Sequence, residues 1–188
     1  MDAGALTPRE QHVVEVVRSA RDELVATVGE LVACDTTARI TAEPARDEAA
    51  LQSILGKRLS AIGAEVDIWE PDPIPAGHPL WPEMDFVGRP QLAAVIRGSG
   101  GGASMLTSGH IDAVGADASG WSSNPHKAVE RDGLLYGRGV VDMKGGIASL
   151  LVAVEALHRS DIKLCGDIVY TTNTDEETTG VGSWTITQ

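Results

Sequence analysis

Residues 104–146 read SMLTSGHIDAVGADASGWSSNPHKAVERDGLLYGRGVVDMKGG, and this stretch decides the fold. Ser104–Ser108 is a short β-favouring run that ends in Gly109. His110 therefore falls at the C-terminal mouth of a strand, where open α/β sheets hold their ligands. His110 and Asp112 lie two apart, and in extended backbone such residues face the same side. A metal-bound histidine needs its second ring nitrogen held by a carboxylate or carbonyl. His-x-Asp supplies ligand and orienter together, although the same pair also occurs as an ordinary hydrogen-bonded turn.

Gly137-Arg138-Gly139-Val140-Val141-Asp142-Met143-Lys144-Gly145-Gly146 places four glycines in ten residues just before a strongly periodic helix. Such a backbone turns tightly or lets something approach closely. Asp142 sits at its tightest part, either capping the helix or facing the pocket. A third cluster bears on that choice. After the strand-like run Ile168–Thr172 come Asn173-Thr174-Asp175-Glu176-Glu177-Thr178-Thr179-Gly180. Three acids at a strand end read as a solvated turn unless this strand lies beside the one carrying His110. In that case Glu176 and Glu177 join Asp112 and Asp142 at one mouth. Four carboxylates crowded together repel and take up protons unless cations offset them.

In order and spacing these motifs resemble the dinuclear-zinc amidohydrolases and metallopeptidases. That family includes acetylornithine deacetylase, succinyl-diaminopimelate desuccinylase, aminoacylase and glutamate carboxypeptidase. The resemblance runs from about Val32 to the C-terminus. It implies an α/β fold with a mixed, mostly parallel sheet flanked by helices, the incomplete form of a zinc exopeptidase-like catalytic domain. It implies that His110 binds one metal, Asp142 bridges both, Glu177 binds the other, Glu176 is the general base and Asp112 orients His110. Two divalent ions would be held, zinc first and cobalt as the alternative. The substrate would be an N-acyl amino acid or small peptide, as for acetylornithine deacetylase.

In the family two further ligands follow later in the chain, whereas this sequence stops at Gln188, eleven residues past Glu177. A catalytic zinc normally takes three protein ligands plus water. Residues 1–188 are therefore expected to be the N-terminal part of the catalytic metal-binding domain of a longer, homodimeric enzyme, without its lid and dimerisation domain. The alternatives are a degenerate, non-catalytic relative and an aminopeptidase of a related dinuclear-zinc family. His126 departs from the pattern, standing where the family often has Phe, and reads as a solvated rim residue.

Composition is that of a globular chain, 43% hydrophobic, with 15 basic against 27 acidic residues and a net charge of −12. Nucleic acid and anionic membrane, which need a basic face, are not expected partners. No apolar run approaches the roughly 20 residues of a membrane helix. Cys34 and Cys165 match no metal or redox spacing and read as reduced core residues of a cytoplasmic protein.

Elsewhere, Thr7-Pro8-Arg9-Glu10 reads as a capping box opening one helix to about Ala33. A second helix is expected from Pro44 to Gly63, followed by a strand over 64–69. Six of the nine prolines fall in Pro71–Pro90, which predicts an ordered irregular loop with His78 exposed. Gln91–Arg97 reads as a strand and Gly98–Ala103 as a hairpin turn, since no helix follows to make its G-x-G-x-x-A a nucleotide loop.

Overall fold

Helix formation starts where the capping box places it. The Thr7 hydroxyl accepts the Glu10 N–H at 3.3 Å and the Glu10 carboxylate accepts the Thr7 N–H at 2.6 Å, opening α1, Pro8–Ser19. In this computed structural model, which describes residues 6–38 and 43–187, the expected long helix is two. The chain bends at Ala20 (φ −87°, ψ 13°) and resumes as α2, Arg21–Ala33. α1 buries no residue, whereas α2 buries Thr27, Val28, Leu31 and Val32. The bend thus separates a surface segment from one that packs into the core.

The next helix, α3, runs Glu48–Ala61 rather than starting at Pro44. Asp47 is its N-cap residue, its carbonyl accepting the Leu51 N–H at 2.9 Å while its carboxylate accepts the Asp35 N–H at 2.8 Å and its own N–H donates to the Asp35 carbonyl at 3.2 Å. Leu51, Leu55 and Leu59 are fully buried, and Gly63 ends the helical run at φ +84°.

Six strands follow: β1 Glu65–Trp69, β2 Gln91–Ile96, β3 Met105–His110, β4 Val129–Arg131, β5 Leu134–Tyr136 and β6 Ile168–Asn173. Four form one sheet in the order β1-β2-β6-β3. The α/β class and mixed sheet are as expected, but parallel pairing does not predominate among the described strands. β1/β2 and β2/β6 are antiparallel, and only β3/β6 is parallel. A parallel pair needs a crossover, and α4, Gly145–Arg159, provides one between β3 and β6.

The hairpin expected at 98–103 is also absent, because β6 lies between β2 and β3. That connection instead crosses the loop leading into β6. A Cβ on Gly102 would sit 2.6 Å from the Cys165 Cβ and 2.8 Å from the Gly166 nitrogen. The actual hairpin is β4/β5, whose turn residues Asp132 and Gly133 both take positive φ, 52° and 75°. Such turns favour Asp-Gly, so this signal stood in the sequence.

α3 and α4 pack on one face of the sheet. A Cβ on Gly56 of α3 would lie 2.8 Å from Ile68 Cδ1 and 3.7 Å from Leu92, and the buried Tyr170 hydroxyl donates to the Ile147 carbonyl of α4 at 3.0 Å. Leu31, Leu55, Leu92, Ile147, Leu151 and Tyr170 belong to this core. A smaller cluster of Ile74, Met84, Phe86 and Val181 joins the proline-rich loop to the short helix α5, Val181–Thr185. His78 is half-buried there rather than exposed, 5.8 Å from the Trp184 ring. Cys34 is buried as expected, whereas Cys165 is exposed, and neither forms a disulfide. Among the described residues no helix is long and apolar enough to cross a membrane.

Candidate metal centre

The site lies at the C-terminal mouth of the parallel pair β3/β6. Register places His110 opposite Asn173, so the β3 exit with His110 and Asp112 meets the β6 exit with Glu176 and Glu177. The sequence left open whether these strands are neighbours, and their pairing brings the clusters together.

The glycine-rich segment brings the third. Gly139 turns the chain at φ +78°, and Val140–Lys144 forms one wide turn before α4. Gly145 has no room for a side chain, because a Cβ would strike the Val140 carbonyl. Asp142 is extended within this turn (φ −130°, ψ 100°), and its side chain makes no capping bond. The Asp142–Met143 peptide is cis.

His110 is 5% exposed. Its Nδ1 lies 2.9 Å from the Asp112 backbone carbonyl and 3.4 Å from the Asp112 carboxylate. Its Nε2 lies 2.9 Å from Asp142 Oδ1 and 3.8 Å from Glu176 Oε2. Burial pulls the imidazole down, but the hydrogen bonds and charge of Asp112, with Asp142, outweigh it and push the pKa up to about 9. Burial raises the Glu177 carboxyl; His110 opposes this, while Asp142, Asp112 and Glu176 add to it.

One ligand atom each from His110, Asp142 and Glu177 lies within 4.8 Å of the others, and no further such cluster of three occurs among the described residues. An imidazole nitrogen and two carboxylate oxygens suit a divalent cation. The fit is supported by the Nδ1–H bond to the Asp112 carbonyl, which leaves Nε2, facing Asp142, as the nitrogen that would exchange its proton for a cation. Glu176 stands at the rim with its side chain 48% exposed, and Asp142 is 71% exposed.

Asp112 was expected to orient His110, and its carbonyl makes the closer contact. Its carboxylate does something the sequence did not suggest: it accepts the backbone N–H groups of Glu176 at 3.2 Å and Glu177 at 3.0 Å. Lys144 was also missed. It is 1% exposed and its ammonium donates to the Cys34 carbonyl at 2.7 Å, tying the Asp142 turn to the end of α2. Burial draws its pKa down to about 8 against the opposing charges of Cys34, Asp35, Asp47 and Glu48. A lysine at a helix N-terminus, where the macrodipole disfavours a cation, was the available clue. His126 is half-buried, its backbone N–H bonded to the Asn124 side chain at 2.9 Å. His12 and His158 are exposed.

Such a constellation at such a strand mouth could hold a divalent cation, and comparison with known proteins shows what the chain is similar to. Residues 106–188 match Peptidase family M20/M25/M40. The chain is 33% identical over 166 residues to the N-formyl-4-amino-5-aminomethyl-2-methylpyrimidine deformylase of Halalkalibacterium halodurans, covering 87% of this chain and 35% of that protein. It is 34% identical over 132 residues to the succinyl-diaminopimelate desuccinylase of Leptothrix cholodnii, covering 70% of this chain and 32% of that one. The chain thus spans about a third of the length of these curated relatives. Its fold matches human carnosine dipeptidase 1, with a TM-score of 0.72 at 24% identity over 86% of this chain and 34% of that one. It also matches the dipeptidase Dug1p of Saccharomyces cerevisiae, with a TM-score of 0.68 at 18% identity over 89% and 35%.

Proposed function

We propose that this chain carries part of the active site of a metal-dependent hydrolase that cleaves the amide bond of an N-acyl amino acid or small peptide. The observation that carries the reading is the convergence of His110, Asp142 and Glu177 within 4.8 Å, with Glu176 beside them at the rim. His110 would hold one of two divalent ions and Glu177 the other, with Asp142 between them; zinc suits the donors first and cobalt second. Ions bound there supply Lewis acidity toward the scissile carbonyl and toward water. Glu176 takes the proton from that water and passes it to the leaving amine, a task its exposed rim position suits. Asp112 holds the His110 tautomer and fixes the backbone of the glutamate pair.

The curated relatives are a deformylase and a desuccinylase, and both names describe removal of an acyl group from nitrogen. Small N-acyl compounds, acetylornithine among them, are therefore the substrates to try first, with dipeptides second. We read residues 1–188 as part of the catalytic domain of a longer protein, because the chain spans about a third of the length of these curated relatives and each of two ions would otherwise have only two ligands from it; a cytoplasmic homodimer is carried by the family resemblance alone. The test is hydrolysis of N-formyl, N-acetyl and N-succinyl amino acids and of dipeptides by the full-length protein loaded with zinc or cobalt. Glu176→Gln should lower kcat by about 10²–10⁴-fold with metal content unchanged. Equal turnover by the variant would remove Glu176 from this role, and an inactive wild type would favour a non-catalytic relative.

A further inference from the structure

We infer that Gln91, which lies outside every motif of the site, is a positioning residue for the Glu176–Glu177 turn; the catalytic consequence rests on the function proposed above. Main-chain pairing of β2 with β6 ends at Leu92↔Thr172. One residue further along β2, the fully buried Gln91 side chain extends the ladder. Its Oε1 accepts the Thr174 N–H at 3.1 Å and its Nε2 donates to the Thr174 hydroxyl at 3.2 Å. Both polar groups on the near side of Thr174 are thereby closed by one amide.

A second buried glutamine backs the first. Gln52 of α3 donates from Nε2 to the Pro90 carbonyl at 3.0 Å and the Thr172 carbonyl at 3.2 Å, and its Oε1 accepts the Thr172 hydroxyl at 2.6 Å. It locks the residue before Gln91 to the root of the turn. Between the two, the Asn173 carbonyl accepts the Ile111 N–H at 2.8 Å. On the far side, a Cβ on Gly182 of α5 would meet the Thr174 carbonyl carbon at 2.6 Å, so α5 packs directly against that peptide.

Beyond Thr174 the chain pivots. Asp175 takes a left-handed φ of 59°, and its buried carboxylate accepts the hydroxyls of Thr178 and Thr179. The turn is therefore internally braced and held to the rest of the protein at Thr174 by Gln91 and at the Glu176 and Glu177 amides by Asp112. A braced turn released at its entry swings as a unit, and it carries both glutamates. Misplacement by about 1 Å at a reacting group costs on the order of 10²-fold in rate.

The test compares full-length wild type, Gln91→Leu and Gln91→Glu. Leucine removes both bonds to Thr174. Glutamate keeps an acceptor for the N–H, and the Thr174 hydroxyl can turn to donate to it. In the metal-loaded enzyme, Q91L should lower kcat by about 10–100-fold with KM within about twofold, and Q91E should recover most of the loss. In the metal-free protein, amide hydrogen exchange at 174–177 should rise about tenfold or more in Q91L while the amides of α3 and α4 keep their protection. Unchanged exchange at 174–177, or exchange raised equally across the core, would overturn the inference. If the wild type proves inactive, the proposed function falls and the exchange result alone decides whether Gln91 holds the turn.

Discussion

The Asp112 carboxylate accepts the Glu177 N–H at 3.0 Å while its own backbone carbonyl lies 2.9 Å from His110 Nδ1. One residue thus sets the ring orientation on β3 and the backbone position of the turn that follows β6. Asp112→Asn turns a donor group toward the Glu176 or Glu177 N–H, leaving one of these part-buried groups without its acceptor at a cost of about 1 kcal/mol. Outer-shell partners of this kind are worth about 10–100-fold in metal affinity. Calorimetric zinc titration of D112N should show that loss together with a lowered Tm; wild-type affinity would mean the bonds are incidental.

Arg58 and Glu155 join α3 to α4 by two bonds, 2.8 Å from Nε and 2.6 Å from Nη2, and Arg58 also donates to Thr27 of α2 at 2.7 Å. Glu155 is 7% exposed. Arg58→Met should therefore destabilise the fold by about 3–5 kcal/mol, because it strands a buried carboxylate. The double variant R58M/E155L should recover much of that, and a urea double-mutant cycle reads the coupling. Additive effects would show that the pair does not act as one.

Asp167 accepts the Gly98 N–H at 2.8 Å and pairs with Arg97 at 3.1 Å. The backbone bond first, and then Arg97, hold its carboxyl below its ordinary value of 3.8. For a depressed acid the stabilisation is complete above the unfolded value and is lost as pH falls through the folded one. Asp167→Asn should then lower stability by a constant amount at pH values well above 3.8, and the gap should close as pH falls below that ordinary value. Denaturation midpoints across that range check it, and a gap that widened in acid would reverse the sign.

Gly166 faces the connection between β2 and β3 so closely that a Cβ would enter the Ala103 carbonyl and lie 2.9 Å from the Ser104 nitrogen. Because backbone cannot rotate aside as a side chain can, Gly166→Ala should cost about 1–3 kcal/mol or more. Gly133→Ala, at φ +75° but in open space, should cost about 1 kcal/mol. Chemical denaturation of the two variants tests the order.

Local chemistry was legible because it is written in adjacent residues. The Thr7/Glu10 box, the stop at Gly63, the strand ending at His110 and the tight glycine-rich turn around Asp142 each depend on neighbours a few positions apart. Reading the first helix through Ala20 and starting the next at Pro44 failed where a distant partner intervened: the core that α2 enters without α1, and Asp35 holding Asp47. The β2–β3 hairpin failed for the same reason, since nothing in Gly98–Ala103 announces that β6 will insert between the strands.

Sequence by itself determined which side chains could bind a cation, because imidazole and carboxylate chemistry is a property of residue type. Only tertiary structure decided that they meet. The parallel pairing of β3 with β6 carries His110 to the turn at Glu176 and Glu177, and Asp112, Gln52 and Gln91 fix that turn through bonds spanning 38 to 120 positions of chain. Hydrogen bonds of that reach depend on how the sheet is ordered, which no short stretch of residues encodes.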